Sequence, residues 1–163
     1  MWYNVGGILI LSIPNYTCGD VMICTFFGHR DVSREIEQQL IETITDLIES
    51  KGVKKFYVGN NGGFDRLVRA TLKEIKKKHP HIEYAVVLAY VPVKKDEYED
   101  YSDTLFPSAL EGVPMRARIV ARNEWMINRS NFVVTHVYRT ASGAAESKAK
   151  AEKKGKTVIN ILP

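Results

Sequence analysis

Four stretches of this chain carry side chains suited to holding a negatively charged group. Gly28-His29-Arg30-Asp31 follows an apolar run. Arg30 offers a planar fork that fits a phosphate or carboxylate, and His29 a hydrogen bond or an acid–base group near neutral pH. Gly28 lets another backbone come close. The plainer reading pairs Arg30 with Asp31 and bonds His29 to a main-chain carbonyl. Gly59-Asn60-Asn61-Gly62-Gly63-Phe64-Asp65-Arg66 is a glycine-rich turn ahead of a helical pattern. Such a turn bares amide N–H groups at a helix N-terminus, where an anion can settle. Asn-Gly and Gly-Gly also make ordinary turns, and neither the dinucleotide fingerprint nor a P-loop is present. Asp65 falls in the first helical turn. It either complements the helix dipole or bonds a ligand hydroxyl.

The third stretch, 138–146, has Ser142-Gly143 at a helix start, with Ser142 suited to capping. Glu146 follows one turn in, as a simple helix-start carboxylate or as the general base of a hydrolase. The fourth is Arg116-x-Arg118-x-x-x-Arg122-Asn123-x-x-Met126. Arg118 and Arg122 share a helix face, and Arg122 and Asn123 are candidates for facing the same ligand.

These stretches need elements to bring them together. Residues 21–27 (VMICTFF) form a continuous apolar run, as in a strand buried on both faces. Residues 33–50 place Ile36, Leu40, Ile41, Ile44, Leu47 and Ile48 at helical spacing, between Ser33 as cap and Gly52 as stop. Further strands are expected at 55–58, 84–90, 132–137 and 157–161. Helices are expected at 64–78 (Leu67, Val68, Leu72 and Ile75 inward), 117–129 and 142–154. Residues 91–114 lack a clean period and read as a long excursion with one short helical piece at 95–101. Within it, DEYEDY at 96–101 reads as a solvated loop, with a lid over the ligand as the alternative. Alternating strands and helices predict an α/β fold: a Rossmann-like three-layer α/β/α domain with a mostly parallel sheet of about five strands. In such sheets the loops after the strands share one edge, and ligands bind there at the switch in strand order.

The chain has 163 residues, 45% hydrophobic and 26% charged, which suits one domain at 22–163. Residues 1–21 form an N-terminal extension, either an extra strand or an upstream start ahead of Met22. Its apolar run at 5–13 has no basic residue before it and is too short to span a bilayer. A net charge of +4, from 23 basic and 19 acidic residues, tolerates an anionic ligand without requiring nucleic acid or membrane. Cys18 and Cys24 form no CxxC pair and no His cluster completes a metal site. Reduced thiols point to a cytoplasmic protein.

Thr25-Phe26-Phe27-Gly28-His29-Arg30, Gly59 with Gly62-Gly63-Phe64-Asp65, Arg122-Asn123-x-x-Met126 and Ser142-Gly143 together resemble the YpsA-like branch of the SLOG superfamily. That group joins the DprA/Smf proteins and the "lonely guy" (LOG) phosphoribohydrolases. The similarity spans about 22–161, and its specificity comes from combining Gly-His-Arg with Gly-Gly-Phe-Asp. It implies a Rossmann-like fold that binds nucleotides or nucleotide-derived molecules. Enzymatic members cleave the N-glycosidic bond of nucleoside monophosphates, with a Pro-Gly-Gly-x-Gly-Thr motif followed by a Glu. Here Ala141-Ser142-Gly143-Ala144-Ala145-Glu146 has one glycine of the three and no Thr.

The expected function is therefore binding or sensing of a nucleotide-like small molecule at the carboxyl edge of the sheet. The expected ligand residues are Gly28, His29, Arg30, Gly59, Asn61, Gly62, Gly63, Asp65, Arg122, Asn123, Ser142 and Gly143. The alternative is a phosphoribohydrolase, with Glu146 or Asp65 catalytic and Arg30 on the 5′-phosphate. Single-stranded nucleic-acid binding comes third. Lys54-Lys55, Lys76-Lys77-Lys78 and Lys94-Lys95 are not interleaved with aromatics for stacking, so nucleic acid is not an expected partner. No cofactor, metal or membrane is expected, and homo-oligomerisation is left open.

Overall fold

The computed structural model describes residues 2–5, 8–11, 21–91 and 103–163. Two short strands, β1 (Trp2–Val5) and β2 (Ile8–Leu11), precede the regular alternation. That alternation runs β3 (Met22–Gly28), α1 (Glu37–Glu49), β4 (Val53–Val58), α2 (Gly63–Lys78) and β5 (Glu83–Val87). It continues with β6 (Thr104–Leu105), α3 (Arg118–Arg129), β7 (Phe132–His136), α4 (Gly143–Lys153) and β8 (Thr157–Asn160). One sheet collects all eight strands in the order β1-β2-β6-β5-β4-β3-β7-β8. β1 is antiparallel to β2, and every other neighbouring pair is parallel. This is the expected α/β Rossmann-like architecture.

β3 shows why an apolar run becomes a central strand. Successive side chains alternate across a sheet. Cys24 and Phe26 enter the core beneath α1 and α2, where Phe56 and Phe64 are fully buried. Ile23 and Phe27 enter the opposite core, with Trp125 and Met126 of α3 and Ala151 of α4. A strand covered on both faces has no room for a polar side chain that lacks a partner. Thr25 therefore donates its hydroxyl to the Tyr57 carbonyl at 3.0 Å. The helices follow the predicted stripes at most positions: Leu40, Ile44, Leu47 and Ile48 of α1 are buried, as are Val68, Leu72 and Ile75 of α2, whereas Ile41 and Leu67 are only half-buried. Ser33 caps, but what it caps is a 3-10 turn (Arg34–Ile36) that leads into α1.

Two expectations change. Among the described residues the sheet has eight strands, three more than the five expected. Two are the N-terminal pair, and the third is β6, whose two residues are too few to show a period. The strand expected at 84–90 stops at Val87, although Leu88 and Ala89 remain buried. Their burial beneath neighbouring segments prolongs the apolar run without prolonging the strand. The short helical piece expected at 95–101 lies outside the described residues. No helix among the described residues is long and apolar enough to cross a membrane.

The chain starts its parallel series at β3, moves outward through β4, β5 and β6, and then returns to β7 on the other side of β3. That reversal puts a switch point at the carboxyl ends of β3 and β7, where open α/β sheets form a crevice.

Candidate functional site

A cleft of about 360 Å³ opens at this switch point. Gly28, His29, Arg30 and Asp31 line it from the loop after β3, and Gly59, Asn61 and Asp65 from the β4–α2 side. Arg122 and Asn123 face it from α3, and Arg139, Ser142 and Gly143 from the loop after β7. Gly62, Gly63 and Glu146 are not in its lining. Gly62 and Gly63 border neighbouring hollows, and Glu146 is exposed on α4.

The glycine loop after β4 works differently from the expectation. The Asn61 N–H donates to Asp65 Oδ2 at 2.9 Å, and the Gly63 N–H donates to the Arg30 carbonyl at 2.9 Å. These two amides are not bare. The loop packs against the 28–31 loop, and a buried N–H must find an acceptor. Glycine is needed here for closeness. A Cβ at position 63 would overlap the Arg30 carbonyl oxygen, and Gly62 has φ of 112°, a left-handed conformation open to glycine. A Cβ at Gly59 would overlap Asp65 Oδ2 and come within 3.0 Å of Arg122 Nη1. At Gly28 it would overlap the Phe64 ring.

Asp65 and Arg122 form the buried charged floor. Asp65 is 9% exposed and Arg122 is 3% exposed. Burial pushes the Asp65 carboxyl up to about 6, while the Arg122 charge and the Asn61 N–H pull the other way. Arg122 Nη1 donates to the Val87 carbonyl at 2.8 Å and to Asn60 Oδ1 at 3.2 Å. Its Nε donates to Asn123 Oδ1 at 2.9 Å. Asn123 Nδ2 then donates to Ser147 Oγ at 3.2 Å, and Ser147 donates to the Gly143 carbonyl at 2.9 Å. A chain of polar contacts thus runs from the β4–α2 side to the start of α4. Arg118 turns to the Val113 carbonyl instead, at 2.9 Å.

His29 has a defined structural task. Its Nε2 accepts from the backbone N–H groups of Tyr138 and Arg139, both at 3.2 Å. Two donors on one nitrogen require that nitrogen to be unprotonated. Burial, helped by Arg139 and His136, holds the imidazole below its ordinary range, and Asp31 opposes this weakly. His29 therefore ties the loop after β3 to the loop after β7. The plainer sequence reading had the ring bonded to a carbonyl, whereas here it bonds amides.

The rim carries the positive charge. Arg30 is exposed and in no ion pair among the described residues. Arg139 pairs with Asp31 at 3.5 Å, and both side chains are well exposed. Ser142 caps α4, accepting from the Ala145 N–H at 3.1 Å. Gly143 and Ala144 begin the helix beside the cleft, and their N–H groups have no earlier carbonyl of that helix to bond.

The backbone resembles that of DNA processing protein A (DprA) from Streptococcus pneumoniae. The two structures match with a TM-score of 0.65 at 15% sequence identity, over 88% of this chain and 51% of that one. The chain thus spans about half the length of DprA. The likeness is one of fold, a DprA-like Rossmann arrangement. No family model matches the chain. No curated protein matches it either. The expectation that nucleic acid is not a partner gains no support here, since DprA is a DNA processing protein.

Within this DprA-like fold, sequence reasoning missed Arg139 in the cleft lining and Asn60 as a support of its floor. Arg139 stands just after β7, as Arg30 stands just after β3, and that parallel position was the available signal. Asn60 accepts from the buried Arg122 across 62 residues of sequence, and no local pattern announces such a contact.

Proposed function

We propose that the cleft binds the phosphate-bearing part of a nucleotide or nucleotide-derived ligand, as in the YpsA-like branch of the SLOG superfamily. The observation that carries this reading is the meeting of Arg30, Arg139 and the first turn of α4 around one cavity of about 360 Å³. That volume lies near the lower end of the range for small-molecule sites. The guanidinium forks and the helix start favour phosphate oxygens. Asp65 and Asn123 suit hydroxyl or base groups deeper in. Isothermal titration against a panel of nucleotides, ADP-ribose, cyclic nucleotides and single-stranded DNA tests it. At least one small molecule binds, and Arg30→Ala weakens that binding by roughly 10-fold or more. Silence across the panel, or an Arg30→Ala protein indistinguishable from wild type, defeats the proposal.

A second reading, hydrolysis of a nucleoside monophosphate, is favoured by Asp65: a carboxyl pushed up to about 6 in the cleft lining can take or give a proton near neutral pH. The exposed Glu146 contributes nothing to that cleft lining. Chromatography of AMP incubations separates the two carboxylates. Release of free base that is lost in Asp65→Asn and kept in Glu146→Ala supports this reading, and no release from wild type ends it.

A further inference from the structure

A second hollow lies on the far side of Arg30. It is an open groove of about 810 Å³ between residues 30–34 and the outer side of α2. Arg30, Arg34 and Arg66 border it, with Asp31 as the one carboxylate in the lining. All three arginines are exposed. None of them is in an ion pair among the described residues, whereas Arg69 pairs with Asp103 at 3.3 Å and Arg139 with Asp31 at 3.5 Å. The one acid at the groove is therefore already engaged by an arginine of the cleft rim. Like charges left together repel, and an anion between them relieves that repulsion.

The groove is also continuous with the cleft. Arg30 and Asp31 line both. Arg30 is held at this junction through its backbone, because its carbonyl accepts the Gly63 N–H and Gly62 packs under its side chain. Tyr138 stands on the groove wall, 46% exposed, with its hydroxyl donating to the Asp31 carbonyl at 3.1 Å. The same two-residue junction thus serves two neighbouring spaces, one with a helix start and one with two further guanidinium forks.

We propose that Arg34 and Arg66 form a second phosphate subsite, so that the ligand carries a further phosphate group beyond the one held in the cleft. This extends the reading given above and rests on it for the first phosphate. A mononucleotide leaves the groove empty, whereas a molecule with a longer chain of phosphates, or with a second phosphate-bearing unit, crosses Arg30 and reaches it.

Inorganic phosphate and tripolyphosphate, titrated into isotopically labelled protein near 150 mM salt, test this by backbone amide NMR. Tripolyphosphate shifts the amides of Ser33, Arg34 and Arg66 together with those of Gly143 and Ala144. The double variant Arg34→Ala/Arg66→Ala weakens tripolyphosphate binding by roughly 10-fold and leaves the response of Gly143 and Ala144 to inorganic phosphate unchanged. Arg116→Ala, which removes an exposed arginine that lines neither hollow, has no effect. Cleft amides that move while groove amides stay silent overturn the subsite and leave the cleft reading standing. Groove amides that move alone remove the cleft reading and with it the proposal that the groove takes a second phosphate. Equal weakening by Arg116→Ala overturns the subsite, because any surface charge would then serve.

Discussion

Near pH 7.5, Arg122→Met lowers the unfolding free energy by about 3–5 kcal/mol, the usual cost of removing one partner from a buried charged pair. The loss has two sources. Asp65 is left in a dry environment without the nearby positive charge that now offsets its burial. The Val87 carbonyl and the Asn60 side chain lose a charged donor that reaches them at 2.8 and 3.2 Å. The methionine fills much of the volume, so packing contributes little to the difference. Urea denaturation of wild type, Arg122→Met, Asp65→Asn and the double variant separates the sources. In the Asp65→Asn background the arginine costs roughly 1–2 kcal/mol less, the size expected for residues coupled by charge. A single-variant loss below about 1 kcal/mol would show that this arginine does not hold the floor of the cleft.

Asp65→Asn, taken alone, moves stability the other way. The Asp65 carboxyl rises from 3.8 to about 6 on folding. The folded protein therefore binds more protons than the unfolded chain between those values, and stability falls as pH rises through the window. A rise of that size costs about 3 kcal/mol once the pH is well above 6. An asparagine has the same shape, can still accept the Asn61 N–H, and never ionises. Near pH 7.5 the variant is more stable than wild type by about 2 kcal/mol, and the difference disappears near pH 4. Denaturant titrations of both proteins across this range measure it. A pH-independent difference would mean that the carboxyl is not charged against its burial. The same substitution removes the carboxyl on which the hydrolysis reading rests, so under that reading a more stable protein without that activity is the joint expectation. Such an exchange of stability against function is common at sites built on strained charges.

The main architecture was readable because it rests on periodicity. The run at 22–28 alternates between two apolar cores, and the stripe of Leu40, Ile44, Leu47 and Ile48 repeats at helical spacing. Such patterns survive without knowledge of partners. The three strand-following loops could be placed at one edge for the same reason, since topology alone puts them there. Their internal wiring could not be read. Glycines at 59, 62 and 63 announce that another backbone or side chain comes close, yet the sequence does not say whether it belongs to a ligand or to the protein. Here Arg30 and Asp65 are the neighbours. His29 has the side chain of an acid–base group, and only its two amide donors, 109 and 110 residues away, reveal a clamp. Glu146 shows the converse. It lies on the exposed side of α4 and outside the cleft lining, a matter of helix phase that the loop before it sets.

The central position of β3 also sets a timetable for synthesis. Cys24 of this strand is matched with Phe132 of β7, which leaves the ribosome over a hundred residues later. At ordinary elongation rates that interval is roughly 5–20 s. Throughout it the nascent chain can lay β4 and β5 beside β3 on one flank, while the other flank of β3 stays an open edge awaiting its mate. Arg139 and the start of α4 emerge later still, so the β7 side of the cleft rim joins the β3 side only after that interval. A ligand that bridges the two sides would then favour the docking of β7 over any earlier assembly step.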